Sequence, residues 1–154
     1  TICAYNKDMN DLISAIATAS GAAGVAIVRM SGEGALETAK KMFSRKGEYT
    51  PYRMYPGVID AGTFRDYGMC VYFRAPASFT GEDVVELHCH GGTEIARGVL
   101  RRTLELGARL AERGEFTRRA YLNGKLSLSA AEGLGEMISA SSEAQVRAGY
   151  LLKR

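Results

Sequence analysis

Apolar and polar positions along the chain change period several times, and each change marks an element. Ser14 to Thr18 (SAIAT) is short, small and apolar, and reads as an edge strand running into a loop at Gly21–Gly24. Val25 to Met30 (VAIVRM) is β-branched and apolar at nearly every position, the pattern of a strand covered on both faces. Ser31 then stands as the N-cap of a helix over Glu33–Phe43, in which Ala35, Leu36, Ala39, Met42 and Phe43 recur at helical spacing. Tyr52–Ile59 and Tyr67–Phe73 have the aromatic and β-branched content of strands, joined across Asp60–Asp66. Ala75–Gly81 (APASFTG) carries proline and glycine without a period and reads as a loop. Asp83–Cys89 alternates imperfectly and predicts another strand.

Thr93 caps a predicted helix over Glu94–Leu106, with Ile95, Ala96, Val99, Leu100, Thr103 and Leu104 on its apolar side and Gly107 placed to end it. Arg109–Ala111 predicts a short strand, and Glu115–Leu122 a short helix closed by the Asn123-Gly124 turn. Ser129 and Glu132 have the spacing of a capping box on a trailing helix, apolar at Leu134, Met137, Ile138, Val146 and Leu151. Strands and helices mix without a regular βαβ rhythm. The pattern therefore predicts an α+β domain with a mostly antiparallel sheet and a separate trailing helix.

Composition narrows this picture only slightly. A length of 154 residues suits one domain, or one domain with an appended helix. An apolar fraction of 46% with 24% charged residues excludes an intrinsically disordered chain. Twenty basic residues face 17 acidic ones, a balance that by itself does not indicate nucleic-acid binding. Cys3, Cys70 and Cys89 are odd in number and far apart, which fits the reducing cytoplasm better than a disulfide scaffold. No apolar stretch approaches the roughly 18 residues of a membrane span, and Thr1–Asn10 lacks a signal pattern. Met9 reads as an internal start, which makes residues 1–8 an extension.

Three segments carry candidate chemistry. In TGEDVVELHCHGG (Thr80–Gly92), Glu86 is an acid between Val84, Val85 and Leu87 on a half-buried strand, where burial demands a partner. It either faces solvent or offers its carboxylate to a planar N–H/NH₂ edge, as on a pterin or guanine. Gly91-Gly92 suits a tight turn or the close approach of a ligand. His88 and His90 share a strand face opposite Cys89, which leaves too few converging ligands for zinc and no Cys–His nucleophile pair. In SAIATASGAAGVAIVRMSG (Ser14–Gly32), no Gly-Lys-Ser/Thr follows the glycines, so the loop is not a Walker A loop. Arg29 near its strand end either snorkels to water, pairs with a carboxylate, or contacts a ligand. In GEFTRRAYLNGKL (Gly114–Leu126), Arg118, Arg119 and Lys125 cluster after Arg113, as a solvated basic face or a wall for a carboxylate-bearing ligand. Phe116 and Tyr121 look like core anchors there, which weakens an RNA-stacking reading.

Taken together and in this order, IATASGAAGVAIVRMSG, APASFTGEDVVELHCHGG and GEFTRRAYLNGKLSLSAAE resemble the amino-terminal domain of the tRNA-modification GTPases of the MnmE (TrmE) family, over about Met9–Ala144. The resemblance implies a fold similar to the tetrahydrofolate-binding domains of aminomethyltransferases and a homodimer. It also implies a ligand of the 5-formyl- or 5,10-methylene-tetrahydrofolate type. By motif position, Arg29, Glu86 and Lys125 are the implied folate contacts, with no catalytic residue and no metal ligand among them. Ser20 stands where the family usually has proline, and Gly34 at a helix start that usually carries a better helix former.

The full-length family works on the wobble uridine of tRNA with the flavoprotein MnmG. Its GTP, Mg and K chemistry belongs to a GTPase domain whose GxxxxGKS motif does not occur here. The expected organisation is residues 9–125 as the folate-binding and dimerisation domain and residues 126–154 as the start of a helical middle domain. Two other readings stay open: a stand-alone folate-dependent one-carbon transferase, and an RNA-binding module using Arg101, Arg102, Arg118 and Arg119. For Arg101 and Arg102, nearby Glu94 and Glu105 make local ion pairing the simpler expectation.

Overall fold

Alternation along the strands decides which residues are buried together. The computed structural model describes residues 10–18 and 24–135. In chain order these form β1 (Ile13–Ile16), β2 (Val25–Ser31), α1 (Ala35–Met42), β3 (Met54–Asp60), β4 (Arg65–Phe73), β5 (Val84–His90), α2 (Thr93–Glu105), β6 (Arg109–Leu110) and α3 (Glu115–Leu122). The strands make one six-stranded sheet in the order β3-β4-β5-β2-β1-β6. Every pairing is antiparallel except the short parallel contact of β6 with β1. The α+β fold with a mostly antiparallel sheet is thus as the pattern predicts. β1 is one strand in from the edge, because β6 adds beyond it.

Successive strand side chains point to opposite faces. Val28 and Met30 of β2, Val85 and Leu87 of β5, Cys70 of β4 and Ile59 of β3 therefore share one face and are fully or almost fully buried. Helices α1 and α2 cover this face. In α1, Ala35, Thr38, Ala39 and Met42 recur at helical spacing and are all buried. In α2 the buried set is Ala96, Gly98, Val99 and Thr103. Withdrawing each such Val, Leu or Met side chain from water contributes about 1.5–3 kcal/mol. The other face alternates in register, and no helix among the described residues is laid along it. There Val25, Met54 and Tyr67 stay exposed while Ile27, Arg29, Glu86 and His88 are half-buried. β2 is therefore covered on one face and half-open on the other, because its alternate residues look out over this uncovered side.

Element ends show where local signals were overruled. Ser31 is not an N-cap: it ends β2 fully buried, and α1 starts after Gly34, which takes the left-handed conformation at φ 90°. Thr93 is the first helical residue of α2, and Gly92 is its cap position. Gly107 ends α2 as predicted. With φ 117°, it lets its own N–H reach Leu104 O (3.1 Å) and the Ala108 N–H reach Thr103 O (3.0 Å), closing a Schellman turn. The chain is helical again over 128–135, and there Ser127 is the cap: its Oγ accepts the Ala130 N–H at 3.1 Å. The expected capping box at Ser129 thus lies inside the helix, two residues late. The predicted extension at 1–8, Ser20 and most of the Gly21–Gly24 loop lie outside the described residues. So do the trailing positions Met137, Ile138, Val146 and Leu151.

Candidate ligand site on the open sheet face

The register of β2 against β5 sets Arg29 directly opposite Glu86 on the open face. Arg29 donates through Nε (3.0 Å) and Nη2 (2.8 Å) to the same oxygen, Glu86 Oε2. His88, two residues on and so on the same face, places Nε2 3.0 Å from Glu86 Oε1. An ionised carboxylate only accepts, so this nitrogen carries the proton. Two rings flank the guanidinium, Phe79 from the 75–81 loop at 5.8 Å and Phe116 from α3 at 5.7 Å. Burial pushes the Glu86 carboxyl up, but the hydrogen bonds from His88 and Arg29 outweigh it and hold the group below the usual range. The side chains of Arg29, His88 and Glu86 remain 26%, 20% and 13% exposed, so a ligand can reach them.

Lys125 sits apart from this pair. After Gly124 (φ 73°), the Lys125 N–H returns to Ala120 O at 2.8 Å and closes the end of α3. Its side chain is beside Gly81, where an added Cβ would come within 3.5 Å of Lys125 Cγ. Arg29 and Glu86 are therefore brought into contact, while Lys125 is exposed next to the loop that carries Phe79. No hydrogen bond or ion pair joins Lys125 to them.

A second network, which the sequence did not announce, ties together the segments that frame the pair. Arg119 is 1% exposed. Its Nη1 donates to Asp11 O (2.7 Å) and to both Glu82 oxygens (3.1 and 3.2 Å), and its Nη2 reaches Asp11 and Glu115 Oε2 (3.3 Å). Glu82 also accepts from Ser31 Oγ at 2.7 Å, and Ser31 Oγ is bonded to Thr80 Oγ1 at 2.7 Å. Arg109 joins from the edge strand with Nη2 2.7 Å from Glu115 Oε2 and Nε 2.8 Å from Asp11 Oδ2. Burial raises the Glu82 carboxyl against the pull of Ser31 and Arg119. Burial also raises Glu115, but there Arg109, the Glu112 N–H and Arg119 prevail and lower it. Arg119 is thus no part of a solvated basic face. The only sequence sign was its spacing of four from Glu115 on one helix.

Phe116 is half-buried against Arg29 and Tyr121 is 39% exposed, so neither is a core anchor. His90 turns to Asp66, with Nδ1 2.7 Å from Oδ1 and its own N–H 2.9 Å from Oδ2. Cys89 faces the core, its thiol pushed up to about 11 by burial. Among the described residues no group of three or more His, Cys, Asp or Glu is placed to hold a metal ion. No described helix is long and apolar enough to cross a membrane. Gly91 donates to Gly24 O at 3.0 Å and so tethers the turn to the start of β2.

An antiparallel sheet clad by helices on one face, with a half-buried Arg–Glu–His cluster flanked by two rings on the other, defines an α+β domain. Its candidate site is built on strands and not on a nucleotide-binding loop. The chain belongs to the family described as the GTP-binding protein TrmE N-terminus, whose model matches residues 12–125. It is 49% identical over 135 residues to the tRNA modification GTPase MnmE of Sulfurimonas denitrificans, covering 86% of this chain and 30% of that protein. To the MnmE of Aquifex aeolicus it is 48% identical over 137 residues, covering 88% and 31%. To that of Nitratidesulfovibrio vulgaris it is 45% identical over 143 residues, covering 90% and 31%. The chain thus spans about a third of the length of these relatives.

Proposed function

We propose that this chain is the tetrahydrofolate-binding and homodimerisation domain of a tRNA-modification GTPase that acts on the wobble uridine of tRNA. The observation that carries the reading is the Arg29–Glu86–His88 cluster, half-buried between Phe79 and Phe116 on the sheet face opposite α1 and α2. A half-desolvated carboxylate suits the N–H/NH₂ edge of a reduced pterin, and flanking rings suit its flat faces. Arg29 and Lys125 would meet carbonyl or carboxylate groups of a 5-formyl- or 5,10-methylene-tetrahydrofolate.

The donor set fits with one adjustment. A carboxylate offers about four acceptor positions, and Arg29 and His88 already use three of those on Glu86. A two-donor edge therefore requires Arg29 or His88 to release one bond. Such a ligand supplies a one-carbon unit; this chain's residues would bind it and orient it. The exposed Val25, Met54 and Tyr67 on the same face support pairing with a second copy.

In this reading residues 9–125 are the binding domain and the helix after 126 begins a helical middle domain. Guanine-nucleotide chemistry, with Mg and K, belongs to a separate GTPase domain. The MnmG-type flavoprotein and tRNA are partners of the assembled protein in the cytoplasm. A stand-alone one-carbon transferase is the second reading, and it gains from His88, an ionisable group beside Glu86. It stays second because the His88 Nε2 proton is already committed to the carboxylate.

Calorimetric titration with 5-formyl-tetrahydrofolate tests the leading reading. Binding that Glu86→Gln weakens at least roughly tenfold supports it, since a charge-assisted hydrogen bond contributes about 1.5–3 kcal/mol. Equal affinity in the variant removes the site assignment.

A further inference from the structure

Positive charge is unevenly placed on this chain. Between Lys40 and Arg53 stand Lys40, Lys41, Arg45, Lys46 and Arg53 against the single acid Glu48, and the whole chain carries only +3. Elsewhere Arg29, Arg109, Arg118 and Arg119 are paired with carboxylates, whereas the exposed Arg97 and Arg101 of α2 have no ion pair among the described residues, Arg101 bonding instead to Thr63 Oγ1. Lys40, Lys41, Lys46, Arg53 and Arg74 also have no ion pair among the described residues, and what sets the 40–53 segment apart is its excess of base over the single acid Glu48.

Two of these cations, Lys40 from the last turn of α1, whose Nζ lies 6.0 Å from the Tyr49 ring centre, and Arg74 just after β4, line one cavity of about 440 Å³ with Tyr49, Thr50 and Glu48. The cavity also takes in Tyr72, whose neighbours in register belong to the helix-covered face, so it is separate from the Arg29–Glu86 site. Its rim is braced. Tyr52 holds a left-handed conformation (φ 67°) that is unfavourable for any residue but glycine. It is kept there by its N–H on Tyr72 O (2.8 Å) and its hydroxyl on Ala77 O (2.7 Å). Arg45 has its Nε on Glu48 O (2.7 Å) and its guanidinium 3.8 Å from the Tyr55 ring centre.

We propose that this surface binds the phosphate groups of an RNA backbone, with Lys40 and Arg74 contacting phosphate at the cavity and Lys41, Lys46 and Arg53 neutralising neighbouring phosphates. The cations continue beyond the cavity along the 41–53 segment, so several negative charges in series match them better than one small anion. Glu48 in the wall further disfavours a compact multivalent anion inside it. Exposed, unpaired Lys and Arg are the groups that displace counterions from a nucleic-acid backbone. The inference rests on the functional reading above only for RNA as a partner. It uses none of the folate residues, so the two can fail separately.

The test is binding of a transfer RNA transcript to the full 154-residue chain across a salt series, with melting curves to show that each variant folds. Each lost phosphate contact lowers the slope of log affinity against log salt by about one. Lys40→Ala/Arg74→Ala is expected to lower it by about two, and the charge-matched Arg97→Ala/Arg101→Ala on α2 to leave it unchanged. Equal losses in both doubles, or no binding by the unaltered chain at low salt, overturn the proposal. So does pyrophosphate binding the same two residues as tightly as the transcript does, which would make this a site for a small phosphorylated ligand.

Discussion

Two clusters of charge on this chain use the same residue types and come to different ends. Around Arg119 the arginine and its two glutamates are 2–6% exposed in their side chains, and Asp11 closes the remaining side. Around Arg29 the arginine, glutamate and histidine keep 13–26% of theirs in contact with solvent. The first joins the chain start, the loop after β4 and helix α3. The second joins only two neighbouring strands that are already paired through their backbones. A dry network whose members are held from three directions is architecture. A cluster that leaves acceptor capacity and an open side is available for recognition, and the first network holds in place the loop and helix that present Phe79 and Phe116 to the second.

The contrast can be broken most severely at Arg119. Replacing it by Met leaves Glu82 buried without a cation, while Glu115 keeps Arg109, and about 3–5 kcal/mol of stability is lost; urea denaturation reads this directly. Glu86→Gln keeps shape and one acceptor oxygen on a site that stays partly wet. Its stability cost is smaller, about 1–2 kcal/mol by the same measurement, while its ligand binding suffers more.

Acid sharpens the comparison. The folded-state carboxyls of Asp11, Glu86 and Glu115 lie below their ordinary values, so each stabilises the fold above the unfolded value and loses that contribution as pH falls through the folded one. Glu82 is raised and acts in the opposite sense, favouring the fold when protonated. With three groups against one, the melting temperature is expected to fall as pH drops below about 4.5, and Glu115→Gln should make that fall shallower. The smallest effect is expected at Arg65, whose side chain is 77% exposed and 3.9 Å from Asp60. Arg65→Ala should change stability by no more than about 0.5 kcal/mol.

What was legible in the sequence follows from range. Period and turn chemistry are local, so strands such as Tyr67–Phe73, the helix Glu115–Leu122 and the stop at Gly107 could be read within a residue or two. Arg29 and Glu86 stood out because each is a charge on an apolar strand, and the register that joins them made one cluster of two separate oddities. Ser31 and Arg119 misled for the opposite reason. A serine before Gly32 looks like a cap, and an arginine after Arg118 looks like solvent-facing charge, unless Glu82 and Asp11 are known to converge on them. Those contacts span 37 to 108 positions of sequence, which no local pattern encodes. His88 was judged against metal and nucleophile chemistry, and its actual partner two positions earlier on the same face was within reach of strand geometry alone.

In the proposed function the wet cluster recognises a reduced folate and the dry one does not. The most direct test is titration of 5-formyl-tetrahydrofolate into the unaltered chain and Glu86→Gln side by side, with both shown to melt cooperatively. Saturable binding to the first is expected, with at least tenfold lower affinity in the second. A folded variant that binds as tightly as the unaltered chain would contradict this reading.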